Sequence, residues 1–415
     1  MTRSIKKKYI LFAVAIIYAA LSLFLQISPI ATSSHFVSDM SMLESDVIEF
    51  TGLYFVIYAI LQIPNGIAFD KIGLKYIFPL GIFFTLIGSI LYWQASDLFF
   101  LGLSRIIIGA GCSVSYVAAI FIAARTFQPR NLPICIAILQ IATGSAAIFA
   151  NNSFRELLRY YGWDICNAFI VAFCFILLLV SIAIVKNTGK HVSESEYDTS
   201  FKQSMKDVVS LLKNRNLVGI FFYSFFTWLV IMTFAGYWAS NYFIHMHHYS
   251  LSTSLGLSEI YWLSFLFGNV FVGIFGRTLK ASKFFIILLS TIGVVTFIIM
   301  AIPVLFDYTG LVAFSICAGI SSSGVVIAFS LIPRIAPSNI SGTAIALNNT
   351  FMVLGGFIGQ LIFGSILSGP SLDMSVGIND GYYTALLSLL LSSILAFISL
   401  LFTIYHMKKP KVWIQ

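Results

Sequence analysis

Charged residues are scarce in this sequence, because Asp, Glu, Lys and Arg together make up only 10% of its 415 residues. Soluble globular domains carry about 25%, so an ordinary soluble fold is excluded. The sequence contains 12 long runs without Asp, Glu, Lys or Arg. Each run is long enough to cross a hydrocarbon layer of about 30 Å, which takes about 17–25 helical residues. Backbone polar groups in lipid are satisfied only in helices or closed barrels. We therefore predict an all-α membrane protein with 12 transmembrane helices, one built around each uncharged run, and a helix can extend beyond its run. The runs are residues 9–34, 50–69, 76–96, 106–124, 131–154, 165–185, 216–244, 260–276, 284–306, 308–333, 335–372 and 381–405.

Paired cysteines and mid-span histidines are lacking as well. The five cysteines lie in or near the apolar stretches, which predicts no disulfide framework and no thiolate metal site. None of the six histidines falls in the middle of a stretch, which disfavours a membrane-embedded oxidoreductase. His245, His247 and His248 have no acidic residue close in sequence, so an interfacial loop is preferred over a metal site there. We expect neither a metal nor another cofactor. A sensor or channel is disfavoured as well, because the sequence shows no attached soluble domain and no repeated pore loop.

The basic residues are distributed unevenly over the gaps between the apolar stretches. If the N-terminus is cytoplasmic, the inner gaps contain most of the 24 Lys and Arg residues, and the outer gaps contain mainly Asp and Glu. This is the positive-inside pattern, so the net charge of +8 indicates topology and not nucleic-acid binding. The first apolar run is longer than the core of a signal peptide, about 7–15 residues. We predict a multi-pass protein of the cytoplasmic (inner) membrane with both termini in the cytoplasm.

The longest polar interval divides the chain into two sets of six predicted spans. It predicts an N-terminal half at residues 1–186, a cytoplasmic linker at 187–215 with a short amphipathic surface helix, and a C-terminal half at 216–415. Weak internal repeats support two pseudo-symmetric halves, since a Gly-rich segment from Gly109 is echoed by one from Gly319. Two parallel six-helix repeats around a midplane site form a transporter architecture.

The loop after the second predicted span carries the most specific motif. It reads Gly66-Ile-Ala-Phe-Asp70-Lys71-Ile-Gly73-Leu-Lys75. This order of glycine, acid, base, glycine and base resembles the signature loop of the major facilitator superfamily. The resemblance implies that these five residues gate the cytoplasmic side by latching the two halves. Asp70 needs partners on a face rich in positive charge. A helix N-terminus with its positive dipole end would suit it, as would Lys71, Lys75 or Arg130.

Arg105 is the one clear ionisable residue deep in a predicted span. The segment Arg105-Ile-Ile-Ile-Gly109 is similar to the family's fourth-helix motif. A charge at that depth is costly and indicates function by default, so Arg105 would bind an anionic group of the solute or tune proton coupling. The alternative is a structural hydrogen-bond hub between helices. Both interpretations remain open from the sequence.

Polar and aromatic residues on the helices that line the cavity in this family are the predicted solute contacts. Buried amides must find partners or cost about 1–3 kcal/mol each, so they face protein or water. For any one of them, a bond between helices is the alternative role. The predicted solute-binding residues are Gln26, Arg105, Tyr116, Tyr223, Trp228, Tyr237, Asn241, Ser322 and Asn348.

The resemblance implies a secondary transporter that works by alternating access. A basic intramembrane charge in an aromatic, amide-rich surrounding favours a zwitterionic or anionic nutrient, and the chain is loosely similar to nutrient and amino-acid importers of intracellular bacteria. We expect proton-coupled import of an amino acid or similar metabolite, with Arg105 and Glu259 as coupling residues and Asp39 and Glu49 as weaker candidates. The alternative is a proton-driven exporter of a drug, siderophore or metabolite, although the fifth span has no proline in its middle, where the family's exporters usually carry a Gly-Pro-rich motif. We expect a monomer in the lipid bilayer, with a small-molecule substrate and no enzymatic activity.

Overall fold

The computed structural model describes residues 2–39, 42, 44–185, 201–302, 306–367 and 377–406, and no strand occurs among them. Sixteen α-helices follow one another along these residues. They are α1 Thr2–Asp39, α2 Glu44–Lys71, α3 Leu74–Gln94, α4 Leu98–Cys112, α5 Ser115–Thr126, α6 Leu132–Ile148, α7 Phe154–Val185, α8 Phe201–Lys213, α9 Arg215–Thr233, α10 Ala239–His247, α11 Leu251–Phe275, α12 Leu279–Ala301, α13 Tyr308–Ser322, α14 Gly324–Ile335, α15 Ser341–Leu367 and α16 Gly377–His406.

These helices form 12 segments that are long and apolar enough to cross a membrane. The all-α class and the number of spans are thereby confirmed. Two helices in succession build the fourth span (α4 and α5), the seventh (α9 and α10) and the tenth (α13 and α14), and one helix builds each of the others. The amphipathic helix α8 lies between the sixth and seventh spans, among the residues predicted as the linker.

Irregular backbone interrupts the spans at a few defined places. The fourth span breaks between Cys112 and Ser115, and the tenth breaks at Ser323. A π-helical turn separates α9 from α10 at Phe234–Trp238. Such turns are rare and frequently occur at functional sites. No proline marks any of these breaks, so the sequence gives little warning of them.

The described chain forms two compact units. The first contains residues 1–127, 138–207 and 338–346, and the second contains residues 128–137, 208–337 and 347–415. Each unit is therefore mostly one predicted half, plus the start of one span from the other half. The division into halves with a linker at residues 187–215 stays a prediction, and residues 186–200 lie outside the described residues.

Close helix crossings inside the units depend on glycine. In the second unit, a Cβ added to Gly319 on α13 would lie 2.3 Å from the Tyr261 carbonyl oxygen on α11. Backbone at that distance cannot move aside as a side-chain end can. The crossing of α11 and α13 therefore requires glycine at position 319.

We expect Gly319→Ala to lower the stability of the second unit. Overpacking a close-packed interior typically costs about 1–3 kcal/mol, which thermal unfolding in detergent would detect as a lower Tm. Gly256→Ala on α11 is the matched control, because a Cβ there meets nothing within 4 Å. Equal Tm values for the two variants would contradict the close crossing.

Candidate gating contact and transport site

Asp70 binds the start of α15. One carboxylate oxygen, Oδ1, accepts a hydrogen bond of 2.8 Å from the Gly342 backbone N–H. The other, Oδ2, accepts from the Thr343 backbone N–H at 2.7 Å and from the Thr343 hydroxyl at 2.8 Å. Both N–H groups belong to the first turn of α15, where backbone donors have no partner within the helix. The carboxylate therefore caps a helix to which it does not belong, at the end whose dipole favours negative charge.

Glycines bring Asp70 to this position. A Cβ on Gly66 would lie 2.5 Å from the Ala346 Cβ and 2.9 Å from the Gly342 carbonyl oxygen, so the close approach of α2 to α15 requires a glycine. Gly73 has a φ of 87°, a value that favours glycine, at the turn into α3. These two features explain in physical terms why the signature loop contains glycine at both positions.

The basic residues of the loop do not supply the partners of Asp70 that the structure records. The Lys75 ammonium lies 5.0 Å from the centroid of the Tyr76 ring, and Lys71 is half-buried. A different base, Arg125 at the end of α5, donates to the Ser338 carbonyl at 3.4 Å, just before α15. The gating role of Asp70, Lys71, Lys75 and the two glycines stays a prediction, but the geometry of Asp70 is that of a latch.

The second unit contains the pseudo-symmetric version of this crossing with the opposite charge. A Cβ on Gly273 would lie 2.6 Å from the Ala137 Cβ, as Gly66 meets Ala346 in the first unit. Four residues after Gly273 stands Arg277, where the first unit has Asp70. Arg277 donates to the Asn131 side-chain oxygen at 2.5 Å. A cation cannot cap a helix N-terminus, so this contact is not a second acidic latch.

Arg105 lies inside the first unit, with only 1% of its surface exposed. Its guanidinium donates to the Leu25 carbonyl at 2.8 Å and to the Gln26 carbonyl at 3.5 Å, both on α1. The guanidinium carbon lies 4.8 Å from the centroid of the Tyr54 ring and 5.9 Å from that of Tyr92. The Arg105 Nε has no hydrogen-bond partner. The structure thus joins Arg105 to the backbone of Gln26, another predicted solute contact.

The corresponding place in the second unit has no charge. Ser315 on α13 stands four residues before Gly319, as Arg105 stands four before Gly109. The Phe234 ring lies 6.4 Å from the Tyr261 ring and 6.2 Å from the Phe297 ring, centroid to centroid. An uncharged serine therefore stands where the first unit has the buried cation Arg105, and aromatic rings pack against one another elsewhere on the same helices.

Three predicted solute residues have defined polar or cavity contacts. The Tyr116 hydroxyl donates to the Gln140 side-chain oxygen at 3.0 Å, within the first unit. In the second unit, Tyr223 and Ser322 both line a cavity of about 30 Å³, and the Ser322 hydroxyl lies 2.7 Å from the Tyr261 hydroxyl. The structure thus brings Tyr223 and Ser322 together at one cavity.

The remaining predicted residues lie in different environments. Asn348 has no exposed surface, and neither its amide nitrogen nor its amide oxygen has a hydrogen-bond partner. Trp228 is half-buried, whereas Asn241 and Glu259 are exposed and Tyr237 is 60% exposed. The side chains of Asp39 and Glu49 lie outside the described residues. The solute-binding and coupling roles of this set stay predictions.

The structure also reveals residues that the sequence does not single out. Tyr54 and Tyr92 hold the Arg105 guanidinium between their rings, although each stands in an apolar stretch that contains many other aromatics. A contact between a tyrosine ring and an arginine that is distant in sequence leaves no recognisable motif in the sequence. No group of three His, Cys, Asp or Glu residues suited to a metal ion occurs in the part of the chain that the structure describes.

Comparison with solved structures shows the fold. The chain is similar to FucP, the fucose:proton symporter of Escherichia coli, solved in an outward conformation, with a TM-score of 0.73, 16% identity and coverage of 96% of this chain and 99% of that one. It is similar to a bacterial homologue of the iron transporter ferroportin with a TM-score of 0.75, 12% identity and coverage of 96% and 99%. It is also similar to the proton:xylose symporter XylE, with a TM-score of 0.69, 13% identity and coverage of 98% of this chain and 96% of that one.

Comparison with known sequences shows the family. An uncharacterized transporter of Buchnera aphidicola, BU466, is 25% identical over 177 residues, a region that spans 42% of this chain and 44% of that relative. The chain thus matches less than half of that relative's length. A family model described as Major Facilitator Superfamily matches residues 10–360. The chain therefore belongs to the Major Facilitator Superfamily, and it is a multi-pass membrane transporter and not an enzyme.

Proposed function

We propose that this transporter imports a small polar solute, an amino acid or a similar metabolite, across the cytoplasmic membrane by alternating access. The observation that carries the proposal is the capping of α15 by Asp70 through three hydrogen bonds. A carboxylate on first-turn N–H groups forms a strong contact, and water can replace it when the helices part. Such a contact suits a gate that must close firmly and open in every cycle.

The buried polar side chains support a solute with both donors and acceptors. Asn348 is fully buried with both polar atoms unpartnered, and leaving such groups unpaired costs about 1–3 kcal/mol each. A polar solute that bonded to this amide would recover part of that energy. Hydroxyls of Tyr223 and Ser322 at the second-unit cavity add further donors and acceptors. A lipophilic cation would use none of these groups.

Proton coupling is the mode of energisation that we propose, with Glu259 as the carboxylate that accepts the proton. Two of the structurally similar proteins are described as proton symporters. Glu259 lies on α11, in the eighth span, and its side chain is exposed at the protein surface. A carboxylate that is protonated before solute entry and deprotonated after release would couple the two movements.

We expect Glu259→Gln to abolish accumulation against a gradient while exchange of solute for solute persists. The neutral amide cannot take up or release a proton, but the conformational cycle of the loaded carrier needs neither step. Concentrative uptake and counterflow in the same proteoliposomes would separate the two properties. Glu156→Gln is the control, since Glu156 pairs with Arg159 at the surface at 3.8 Å and should leave both properties intact. Loss of counterflow in Glu259→Gln, or unchanged accumulation, would contradict the coupling role.

Uptake into proteoliposomes tests the proposed function. Purified protein would receive an imposed pH gradient, alkaline inside, and labelled amino acids and small carboxylates would be screened with and without a protonophore. Accumulation that collapses with the protonophore is the expected result. If dyes or siderophore-like compounds move against the proton flux and no nutrient accumulates, the protein is an exporter and the proposal is wrong.

A further inference from the structure

The surroundings of Arg105 leave its positive charge without a counter-charge. A guanidinium has five N–H donors, and the structure records bonds only from its two terminal nitrogens, to the Leu25 and Gln26 carbonyls. The Nε is unpartnered and buried. No carboxylate pairs with Arg105 within the residues that the structure describes. Carbonyl dipoles and aromatic faces compensate a buried charge only in part, and buried charges are normally paired.

A small cavity lies beside this guanidinium in the first unit. Its volume is about 10 Å³, close to the roughly 10–15 Å³ that accommodates one water molecule. Its walls contain both polar and apolar residues, and they come from the first, third, fourth and sixth spans. The lining residues are Leu25, Ser28, Thr32, Ser89, Tyr92, Arg105, Ile108, Phe154, Asn167 and Ile170.

The size and the lining together define the kind of ligand. A carboxylate-bearing solute is larger than the cavity of about 10 Å³. Among the lining residues Arg105 alone is charged, and its charge is positive. The hydroxyl of Ser28 and the amide of Asn167, which is 3% exposed, can donate hydrogen bonds from the walls. A one-atom anion satisfies the charge and the donors, and it is the smallest ligand that does so.

We propose that the cavity binds a single monatomic anion, chloride under physiological conditions, on the Arg105 guanidinium with support from Ser28 and Asn167. The anion neutralises the buried cation and so stabilises the packing of the four spans that line the cavity. Chloride is larger than water, so the proposal requires the cavity of about 10 Å³ to widen when the ion binds. The proposal goes beyond the proposed function and is independent of which solute is transported.

Halide-dependent stability tests the proposal directly. Thermal unfolding of the full chain in detergent would be followed at constant ionic strength while sodium gluconate is exchanged for sodium chloride or bromide. We expect a saturable rise in Tm of about 2–4 °C with either halide. Arg105→Met should abolish the rise, and Asn167→Ala should shift its midpoint to higher halide concentration. Ser315→Ala, altered at the uncharged counterpart in the second unit, should retain it.

A crystal of the wild-type protein grown with bromide gives a measurement that does not depend on any variant folding. We expect an anomalous peak within hydrogen-bond distance of the Arg105 Nε. The proposal is overturned if Tm is equal in gluconate and halide, if Arg105→Met keeps the halide effect, or if the anomalous map has no peak at this place. Stabilisation by formate but not by halides would also overturn it, because the cavity would then take a carboxylate.

Discussion

Asp70→Asn is expected to slow solute transport about tenfold or more while the protein still folds. Hydrogen bonds to a charged group contribute about 1.5–3 kcal/mol each, and each 1.4 kcal/mol is a factor of ten in an equilibrium constant. An asparagine keeps one acceptor oxygen, but its NH₂ group faces donors where the second carboxylate oxygen accepts from Thr343. The state in which α15 is capped is therefore depopulated, and a cycle that must pass through it slows. Initial uptake rates in proteoliposomes measure the effect.

Two other aspartates provide matched controls for this substitution. Asp97 accepts from the Phe100 N–H and Asp307 accepts from the Gly310 N–H, so each caps the helix that directly follows it. Asp97→Asn and Asp307→Asn should alter local stability slightly and leave uptake near the wild-type rate. If all three variants slow transport equally, the effect belongs to helix capping in general and the gating role of Asp70 is refuted.

Arg105→Met is expected to abolish uptake, with a loss of at least about 100-fold, and yet to leave the thermal stability near or above the wild-type value. A buried charge is costly to desolvate, and replacing buried ionic groups by apolar residues of similar size is often neutral or stabilising. Met fills the space between the Tyr54 and Tyr92 rings, but it releases the backbone of Leu25 and Gln26 on α1. If Arg105 positions the first span for solute binding, KM should rise more than kcat falls.

The surface arginine Arg159 is the control, because it is largely exposed and contacts only surface groups among the described residues, the Glu156 carboxylate and the Tyr160 ring. Arg159→Met should change neither uptake nor Tm appreciably. A large fall in Tm for Arg105→Met with normal uptake per folded molecule would instead identify Arg105 as a purely structural hub. The two measurements on one variant thus separate the alternatives that the sequence leaves open.

The sequence predicts the fold because lipid excludes charge so strongly that the 12 apolar stretches can hardly be anything but spans. It also predicts that Asp70 needs a partner, since it is an acid on a basic face, but it leaves a helix N-terminus and nearby basic side chains as alternatives. It does not identify Gly342 and Thr343 as that partner, because they lie more than 270 positions away along the chain. Tyr54 and Tyr92 escape prediction for the same reason, since only the packing of α2, α3 and α4 brings them to Arg105.

The contact between Asp70 and α15 depends on a side chain at one end and mainly on backbone groups at the other, so mutation affects the two ends differently. On α15 two of the three donors are backbone N–H groups, which every residue except proline retains. Most substitutions on α15 therefore keep these two backbone donors. Nearly every substitution of Asp70, in contrast, removes the carboxylate that accepts from them. Pro133 occupies the position that corresponds to Gly342 in the second-unit crossing, so that site has already lost one such donor. An acidic residue in place of Arg277 would therefore lack one of the two backbone donors that Asp70 has. A single substitution there would not give the second unit the contact that the first unit has.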